Sequence, residues 1–301
     1  MVTGLKTGLQ KSKRLRTAME SVSRVALLAA ALISIAAVVL ITLFIVQQGL
    51  PMFSKVPASE FFLSTVWTPS ASNPHYGIAS FIIASFEVTF LAMIFSLPIA
   101  LSCAIYLSEF AKGKFAGILR SAIELLAGIP SIIYGLFGIA LVVPAIRNTL
   151  GGNGYSLLSA GIILAIMILP TIINFSEVSI RAVSKDLRMA SVAMGATPWQ
   201  TIYKVVLPSA MSGIVSSVVL GLGRAIGETT AVLLVGGNAP VFAIKPTDMG
   251  RTMTMNIITD MSYATGVHME ALFATAMLLF LFILLLNALV VEISRRSRLE
   301  N

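Results

Sequence analysis

Two oppositely charged residues, Arg224 and Glu228, lie four positions apart inside a long apolar segment. An ionised side chain at the centre of a bilayer costs about 2.5–3.5 kcal/mol on insertion scales, so such residues usually face the protein interior and mark a pathway. Four residues are close to one helical turn, which predicts that the two side chains share a face and form an ion pair. Two interpretations remain open: Arg224 contacts or gates a passing solute, or the pair is a satisfied structural contact between helices.

Two further carboxylates, Glu87 and Glu124, lie in other apolar segments. Glu87 lies about a third of the way into its segment, where pathway and packing roles are equally consistent with the sequence. Glu124 lies near the end of its segment, where a charged group reaches water at low cost, and we expect it to be structural. The apolar segments therefore contain one arginine, Arg224, and three carboxylates, Glu87, Glu124 and Glu228. This balance of charge attracts an anion poorly. We therefore expect a protonated or paired carboxylate, or positive charge from a partner subunit.

No other residue pattern indicates catalysis or metal binding. The single cysteine, Cys103, excludes a disulfide framework and a cysteine-based metal cluster. The two histidines, His75 and His268, are too few for a histidine-based metal site. The phosphate-binding pattern Gly-x4-Gly-Lys-Ser/Thr is missing, so hydrolysis of a nucleotide by that route is excluded. We predict a chain without catalytic residues, metal or cofactor.

The composition indicates which elements hold these charges. Of the 301 residues, 57% are hydrophobic and only 11% are charged, whereas a soluble domain carries roughly 25% charged residues. This excludes a soluble domain and a disordered chain. Apolar stretches of about 20 residues cross a bilayer as helices, and the alternation typical of a barrel is missing. We predict an all-α membrane protein with six transmembrane helices, at residues 25–46, 78–107, 121–146, 157–175, 209–235 and 271–291.

The distribution of lysine and arginine predicts the orientation of these helices. With both ends of the chain in the cytoplasm, sixteen basic residues lie inside and four lie outside, as the positive-inside rule requires. Residues 1–24 then form a basic cytoplasmic leader and residues 292–301 a basic cytoplasmic tail. The first apolar segment is too long for a signal peptide and is expected to be retained. The net charge of +8 is this signature, and we expect no nucleic-acid partner.

The loop of residues 176–208, predicted to be cytoplasmic, reads as two short helices. The first covers about 185–194 and ends at a Gly195 cap. The second starts at an N-cap, Thr197, with Pro198 in the first position and Gln200 completing a capping box, and it ends near Leu207-Pro208. Such a pair is typical of a segment that docks into a groove of another protein. An amphipathic pair lying on lipid headgroups is equally consistent with the pattern.

This loop resembles the "EAA" loop of bacterial ABC-importer permeases. The family's Gly-x9-Ile-x-Leu-Pro frame is matched here by Gly195, Val205 and Leu207-Pro208 at the same spacing. At the head of the loop, where the family usually has Glu-Ala-Ala, this sequence has Met189-Ala190-Ser191. The stretch 221–232 is similar to the Gly-Arg-Ala-x-Gly-Glu-Thr segment of phosphate-specific transport permeases. Segments 65–69, 76–78 and 123–135 are similar to the same family, closer to its PstC subunit than to its PstA subunit.

The resemblance implies the type I ABC-importer permease architecture in a bacterial or archaeal cytoplasmic membrane. It implies import of inorganic phosphate along a path formed with a second homologous permease chain. The other implied partners are an ATP-binding cassette ATPase dimer, which hydrolyses ATP, an extracytoplasmic phosphate-binding protein and membrane lipid. The resemblance implies that Arg224 and Glu228 line the substrate path, and Glu87 is a further candidate for the path because of its position inside an apolar segment. The residues implied in coupling to the ATPase are Ala190, Ser191, Gly195, Ala196, Thr197, Pro198, Leu207 and Pro208.

Three alternatives remain at this point. Within the same class, the solute could be another oxyanion, such as molybdate, tungstate or sulfate. In a different class, the chain could be a stand-alone channel or secondary transporter, whose flux persists without an ATPase. A membrane sensor that recruits a cytoplasmic partner without moving a solute is the third.

Overall fold

A computed structural model describes the backbone of residues 2–299 and the side chains of residues 20, 22–289, 291 and 292. The predicted leader and tail therefore lie mostly outside the described side chains. The helices are α1 (Val2–Gly49), α2 (Met52–Lys55), α3 (Ala58–Leu63), α4 (Ala79–Ile105), α5 (Gly113–Gly128), α6 (Ser131–Phe137), α7 (Val143–Leu150), α8 (Leu157–Arg181), α9 (Lys185–Ala193), α10 (Pro198–Thr201), α11 (Leu207–Gly227), α12 (Thr230–Val235), α13 (Met253–Asp260) and α14 (Val267–Leu299). Three wider π-helical turns cover Tyr106–Phe110, Gly138–Val142 and Ile202–Val206.

Six helical segments of the described chain are long and apolar enough to cross a membrane, as the sequence predicts. They are Val22–Lys55, Ala79–Phe110, Ser131–Leu150, Leu157–Arg181, Pro198–Gly227 and Val267–Leu289. We call the end of the bundle with segments 50–78 and 236–266 the upper end, and the end with segments 106–113 and 182–201 the lower end.

The third segment differs from its predicted bounds of 121–146. The helix that contains Glu124 is α5, which ends at Gly128, and the chain is extended at Ile129 before α6 begins. Pro130 causes this interruption because a proline disfavours helical backbone in the residue before it. Pro130 therefore lies at a break and not inside a span, and the crossing segment is 131–150.

The fifth segment also differs from its predicted bounds of 209–235. It begins earlier, because α10, the π turn and α11 follow one another without a break from Pro198 to Gly227. The predicted helix end near Leu207-Pro208 is therefore wrong. The π turn lies directly before Pro208 and widens the helix there, which accommodates a residue that lacks an N–H group. The segment ends earlier than predicted, because the backbone is extended at Glu228 before α12.

The centre of the bundle is α8, which packs between α4 and α11. Small residues let the helices approach closely: a Cβ on Gly161 would lie 2.7 Å from Cβ of Leu91, and one on Gly221 would lie 2.7 Å from the Ile172 side chain. Such close packing of backbones is typical of membrane helices. The α8–α11 contact therefore fixes where Arg224, near the end of α11, lies relative to α8.

The first and last long helices, α1 and α14, pack against each other in opposite directions at the side of the bundle. Gly49 contacts the backbone of Phe273 and Ala274, and the rings of Phe44 and Phe273 meet edge to face at 5.6 Å. The apolar side chains of α1 from Val22 to Phe44 are largely exposed. In a membrane protein such a face contacts lipid.

A small second core closes the upper end. A two-stranded antiparallel hairpin, β1 (Trp67–Thr68) and β2 (His75–Tyr76), packs on α13 and on the start of α14. The Trp67 side chain lies among Tyr76, Phe81 and His268. Loop 236–266 is therefore folded onto the membrane helices.

Candidate functional site

Arg224 and Glu228 do not form the predicted ion pair. Arg224 belongs to the last turn of α11, which ends at Gly227, and Glu228 has the extended backbone angles φ −72° and ψ 135°. The prediction assumed a continuous helix, and the break turns the Glu228 side chain away from the position of one helical turn. Glu228 Oε1 instead accepts a hydrogen bond from the backbone N–H of Ala231 at 3.1 Å. The carboxylate thus caps the start of α12.

The Arg224 guanidinium is exposed and has one neutral partner in the described part of the chain. Its Nη1 donates a hydrogen bond to Oγ1 of Thr171 on α8 at 3.0 Å. The remaining guanidinium N–H groups have no acceptor among the described residues. A planar guanidinium with free donors suits two-point contact with the oxygens of an anion. Arg224 is therefore held in position by a side contact while most of its donors stay available.

A residue of the upper end bonds to the main chain at the break between α11 and α12. The hydroxyl of Thr254, on α13, donates a hydrogen bond to the backbone carbonyl of Glu228 at 3.0 Å. A cleft of about 420 Å³ opens beside this contact, lined by Thr229, Thr254, Ile257, Ile258, Met261 and Ser262. The cleft therefore begins at Thr229, the residue after the predicted path residue Glu228, and its lining is mostly apolar.

Glu87, the third predicted path residue, lies on α4 and is half-buried. Among the side chains that the structure describes, it makes no hydrogen bond or ion pair, and none joins it to Arg224 or Glu228. The structure therefore brings Thr254 to the main chain of Glu228, and it joins the predicted path residues to one another by no hydrogen bond among the described side chains. Glu124 is exposed on α5, outside the six crossing segments.

The helix caps that the sequence predicts for the lower-end loop are present. Gly195 has φ +83°, and the N–H groups of Gly195 and Ala196 donate to the carbonyls of Val192 and Ser191, which closes α9 in the pattern typical of a glycine cap. Thr197 and Gln200 form the reciprocal capping box at the start of α10. These local signals were readable from the sequence because each involves residues within a few positions of one another.

The predicted coupling residues lie on one continuous stretch. Ala190 and Ser191 belong to α9, Gly195 and Ala196 to the turn, Thr197 and Pro198 to the start of α10, and Leu207 and Pro208 to the start of α11. Several apolar side chains around them are exposed: Met189 at 62%, Met194 at 89% and Trp199 at 62%. An exposed apolar patch at the end of a membrane bundle indicates an interaction surface.

Sequence reasoning missed a network of charged residues at the lower end. Arg120 and Arg181 each donate a hydrogen bond to the backbone carbonyl of Leu107, at 3.2 and 2.9 Å, and each pairs with Glu177 at 3.0 Å. The sequence predicts these arginines only as basic residues on the cytoplasmic side. The Glu177–Arg181 pair has i,i+4 helical spacing, but the contacts of Arg120 with Glu177 and of Arg181 with Leu107 join residues 57 and 74 positions apart, where spacing gives no signal.

A second unpredicted cluster surrounds the Asp260 carboxylate at the upper end. Oδ2 accepts a hydrogen bond from Trp67 Nε1 at 2.9 Å and lies 3.2 Å from Nε2 of His268. Oδ1 accepts from Arg251 Nη1 at 3.1 Å and from the Tyr263 hydroxyl at 2.7 Å. Burial raises the pKa of Asp260, but the hydrogen bonds from Tyr263 and Trp67 and the charge of Arg251 outweigh burial and hold it below its usual value. The cluster fixes loop 236–266 to the hairpin.

Comparison with known proteins connects this geometry to a family. The model of binding-protein-dependent transport system inner membrane components matches residues 96–299. The chain is 40% identical over 290 residues to the probable ABC transporter permease protein YqgH of Bacillus subtilis (strain 168), covering 93% of this chain and 94% of the relative. It is 32% identical over 272 residues to the phosphate transport system permease protein PstC of Xylella fastidiosa (strain Temecula1), covering 82% and 83%.

Two solved structures share the fold. An inward-facing structure of the MetNI methionine ABC transporter has a TM-score of 0.59 at 21% identity and covers 73% of this chain and 95% of that chain. A bacterial ABC transporter for import of the acidic polysaccharide alginate has a TM-score of 0.58 at 16% identity and covers 93% and 97%. The predicted architecture of an ABC-importer permease is confirmed.

Proposed function

We propose, from the premise that the chain belongs to the family of binding-protein-dependent transport system inner membrane components, that it serves an importer of inorganic phosphate. Within that family it is a multi-pass inner-membrane permease subunit of an ABC importer and not itself an enzyme. Membership implies a second permease, an ATPase and a substrate-binding protein as partners.

One observation carries the assignment of the path: Arg224 presents free guanidinium donors beside the break of the fifth segment. If Glu228 paired with it, the positive charge would be neutralised within the chain. Because the carboxylate caps α12 instead, the guanidinium stays available to an anion. Charged groups inside a membrane protein are typical of the route that the solute takes.

Phosphate is favoured as the solute by sequence similarity and by the place of the most similar stretch in the structure. Relatives of about 30% identity over most of the chain are named phosphate transport system permease proteins. The stretch 221–232, by which the sequence resembles phosphate-specific permeases, contains Arg224 and Glu228 and forms the break itself. The sequence similarity and the position of Arg224 therefore both indicate residues 221–232.

The lower-end loop is the proposed seat of an ATP-binding cassette dimer. Its exposed apolar side chains are the kind of surface that a groove in another protein covers. In this proposal the lower end faces the cytoplasm, as the distribution of basic residues predicts. Closure of the ATPase on ATP moves the loop, and the bundle opens alternately to either side. An extracytoplasmic phosphate-binding protein delivers the solute to the upper end, and a second permease completes the conduit.

The direct test of the solute is uptake into proteoliposomes that contain the assembled importer and its binding protein. We expect ATP-dependent uptake of labelled phosphate that a large excess of sulfate, molybdate or tungstate does not compete away. Uptake of one of those anions in preference to phosphate would contradict the phosphate assignment. Flux that persists without the ATPase would contradict the importer assignment itself.

The proposed ATPase seat is tested with Met194, the most exposed of the large apolar side chains in the loop. Met194→Ser should lower the recovery of the ATPase with the permease several-fold. Met261→Ser, which changes an exposed methionine at the upper end, is the matched control and should leave recovery unchanged. Equal recovery in both variants would argue against docking at this loop.

A further inference from the structure

The helix α9 is held to the membrane bundle in an unusual way, because none of its described residues is buried. A helix without buried side chains has little apolar packing through which a movement could be passed on. What attaches α9 is polar: both oxygens of Glu109 accept hydrogen bonds from Arg188 Nη1, at 2.7 and 2.5 Å. Arg188 Nη2 also donates to the backbone carbonyl of Ile180 at 2.8 Å.

Glu109 lies in the π turn that ends the second crossing segment, four residues after the last residue of α4. Its side chain is 10% exposed and that of Arg188 is 24% exposed. A largely desolvated ion pair with several hydrogen bonds resists separation more than a pair on an open surface does. The pair therefore fixes the loop to the end of α4.

The rest of the loop meets the same π turn. The ring of Trp199, on α10, lies 6.4 Å from the ring of Phe110, the residue after Glu109. The hydroxyls of Ser191 and Thr201 are 2.9 Å apart and join α9 to the helical stretch that begins at Pro198. Both helices of the loop thus contact two neighbouring residues at the end of α4.

We propose that Glu109 and Arg188 are a positioning pair that transmits movement of the loop to the second crossing segment. The inference rests on the proposed ATPase seat at this loop, but not on the identity of the solute. Met189, where the sequence departs from the family pattern, is exposed and outside this contact. Arg188 and Ser191 attach α9, Met189 and Met194 are exposed to the ATPase, and Trp199 belongs to both sets.

The experiment uses the assembled importer and a reporter already present in α4. Cys103 is the single cysteine of the chain and lies six residues before Glu109. With cysteine-free partner subunits, we expect the rate of Cys103 labelling by a membrane-permeant maleimide to differ between nucleotide-free and ATP-trapped complexes. Arg188→Ala should abolish that difference and lower the solute imported per ATP at least fivefold, while ATP hydrolysis persists. Lys112→Ala, which removes a nearby exposed charge, is the control and should behave as wild type.

The exchanged double variant Glu109→Arg with Arg188→Glu separates transmission from folding. It should restore at least half of the labelling difference and of the import per ATP, even where a single variant fails to assemble. Unchanged coupling in Arg188→Ala, or no recovery in an assembled exchanged variant, would overturn the proposal, as would equal labelling rates in the two wild-type states. The labelling readout is independent of the solute, so a wild-type importer that moves α4 without taking up phosphate would contradict only the phosphate assignment.

Discussion

Arg224 and Glu228 lie one helical turn apart in the sequence, yet each has a different partner. Arg224 donates to Thr171 on α8, and Glu228 accepts from the backbone of Ala231 on α12. The two residues therefore have different roles. Arg224 is an exposed charge, and Glu228 caps a helix. Their variants should consequently differ.

Arg224→Ala should lower ATP-driven phosphate uptake at least tenfold without loss of subunit assembly, because it removes the free donors beside the break. Arg224→Lys keeps the charge but not the planar fork, and uptake should be intermediate. Thr171→Val removes the neutral partner and should cost only about 0.5–1.5 kcal/mol of stability. Uptake is measured in proteoliposomes, and normal uptake by Arg224→Ala would refute the role of Arg224 in the path.

Glu228→Ala should lower the free energy of unfolding by about 1 kcal/mol, as expected for loss of a helix cap. Uptake should fall with it, since the cap shapes the break. Glu228→Gln retains an oxygen that can accept from Ala231 and should stay near wild type in both measurements. Equal damage in the two variants would mean that the charge of Glu228, and not its cap, is what matters.

The double variant Arg224→Ala with Glu228→Ala tests whether the residues are independent. For residues without a shared partner, the stability changes should add to within about 0.5 kcal/mol. Unfolding in detergent, followed by circular dichroism, gives the four free energies of the cycle. A coupling energy above about 1 kcal/mol would indicate a direct interaction that the described geometry does not contain.

Gly195→Ala should destabilise the end of α9, because φ +83° costs a residue with a Cβ about 1–2 kcal/mol. No atom lies within 4 Å of the added Cβ, so the effect arises from the backbone alone. Gly195→Asn is the matched control, since asparagine tolerates this conformation better. Recovery of the ATPase with the permease should fall in the alanine variant and largely persist in the asparagine variant.

The Asp260 carboxylate should make stability dependent on pH on the acid side. The folded-state pKa of Asp260 is below its usual value, so its contribution is complete above the unfolded pKa and is lost as the pH falls through the folded pKa. Thermal unfolding should show this loss below about pH 4 and no effect of Asp260 between pH 5 and 8. Asp260→Asn should lower stability at neutral pH by about 3–5 kcal/mol, because it leaves the buried Arg251 unpaired.

In that variant the acid-side loss due to Asp260 should disappear, since the titrating group is gone. Glu60→Gln, which changes an exposed pair with His75 at the same end, is a suitable comparison and should alter stability little. An Asp260→Asn protein as stable as wild type at pH 7 would show that the cluster does not hold loop 236–266 in place.

The sequence predicted the features that depend on neighbouring residues or on composition. The six crossing segments follow from apolar length, and the caps at Gly195 and Thr197 follow from local residue types. The break at Glu228 was not predictable from hydropathy, because both α11 and α12 are apolar and no proline marks the boundary. The interruption at Pro130 was not predicted from hydropathy either, because the apolar run continues on both sides of it.

The charged contacts at the lower end were missed for a different physical reason. Glu109 and Arg188 are 79 residues apart, and the pair forms only when α4 and α8 pack side by side. A count of basic residues records where they lie relative to the membrane but not which carboxylate they meet. The role of Glu87, which makes no contact with the described side chains that would define one, stays a prediction.

The hydrogen bond from Thr254 to the carbonyl of Glu228 joins the upper-end loop to the chain just after the fifth crossing segment, which ends at Gly227. Hydrocarbon offers no hydrogen bonds, so an interrupted helix must find them within the protein. Thr254 and Asp260 belong to the same eight-residue helix, α13, and Asp260 ties the far end of that helix to the hairpin. Because α13 connects Asp260 to Thr254, we expect a displacement of the hairpin to be passed along this helix to the main chain of Glu228, four residues from Arg224.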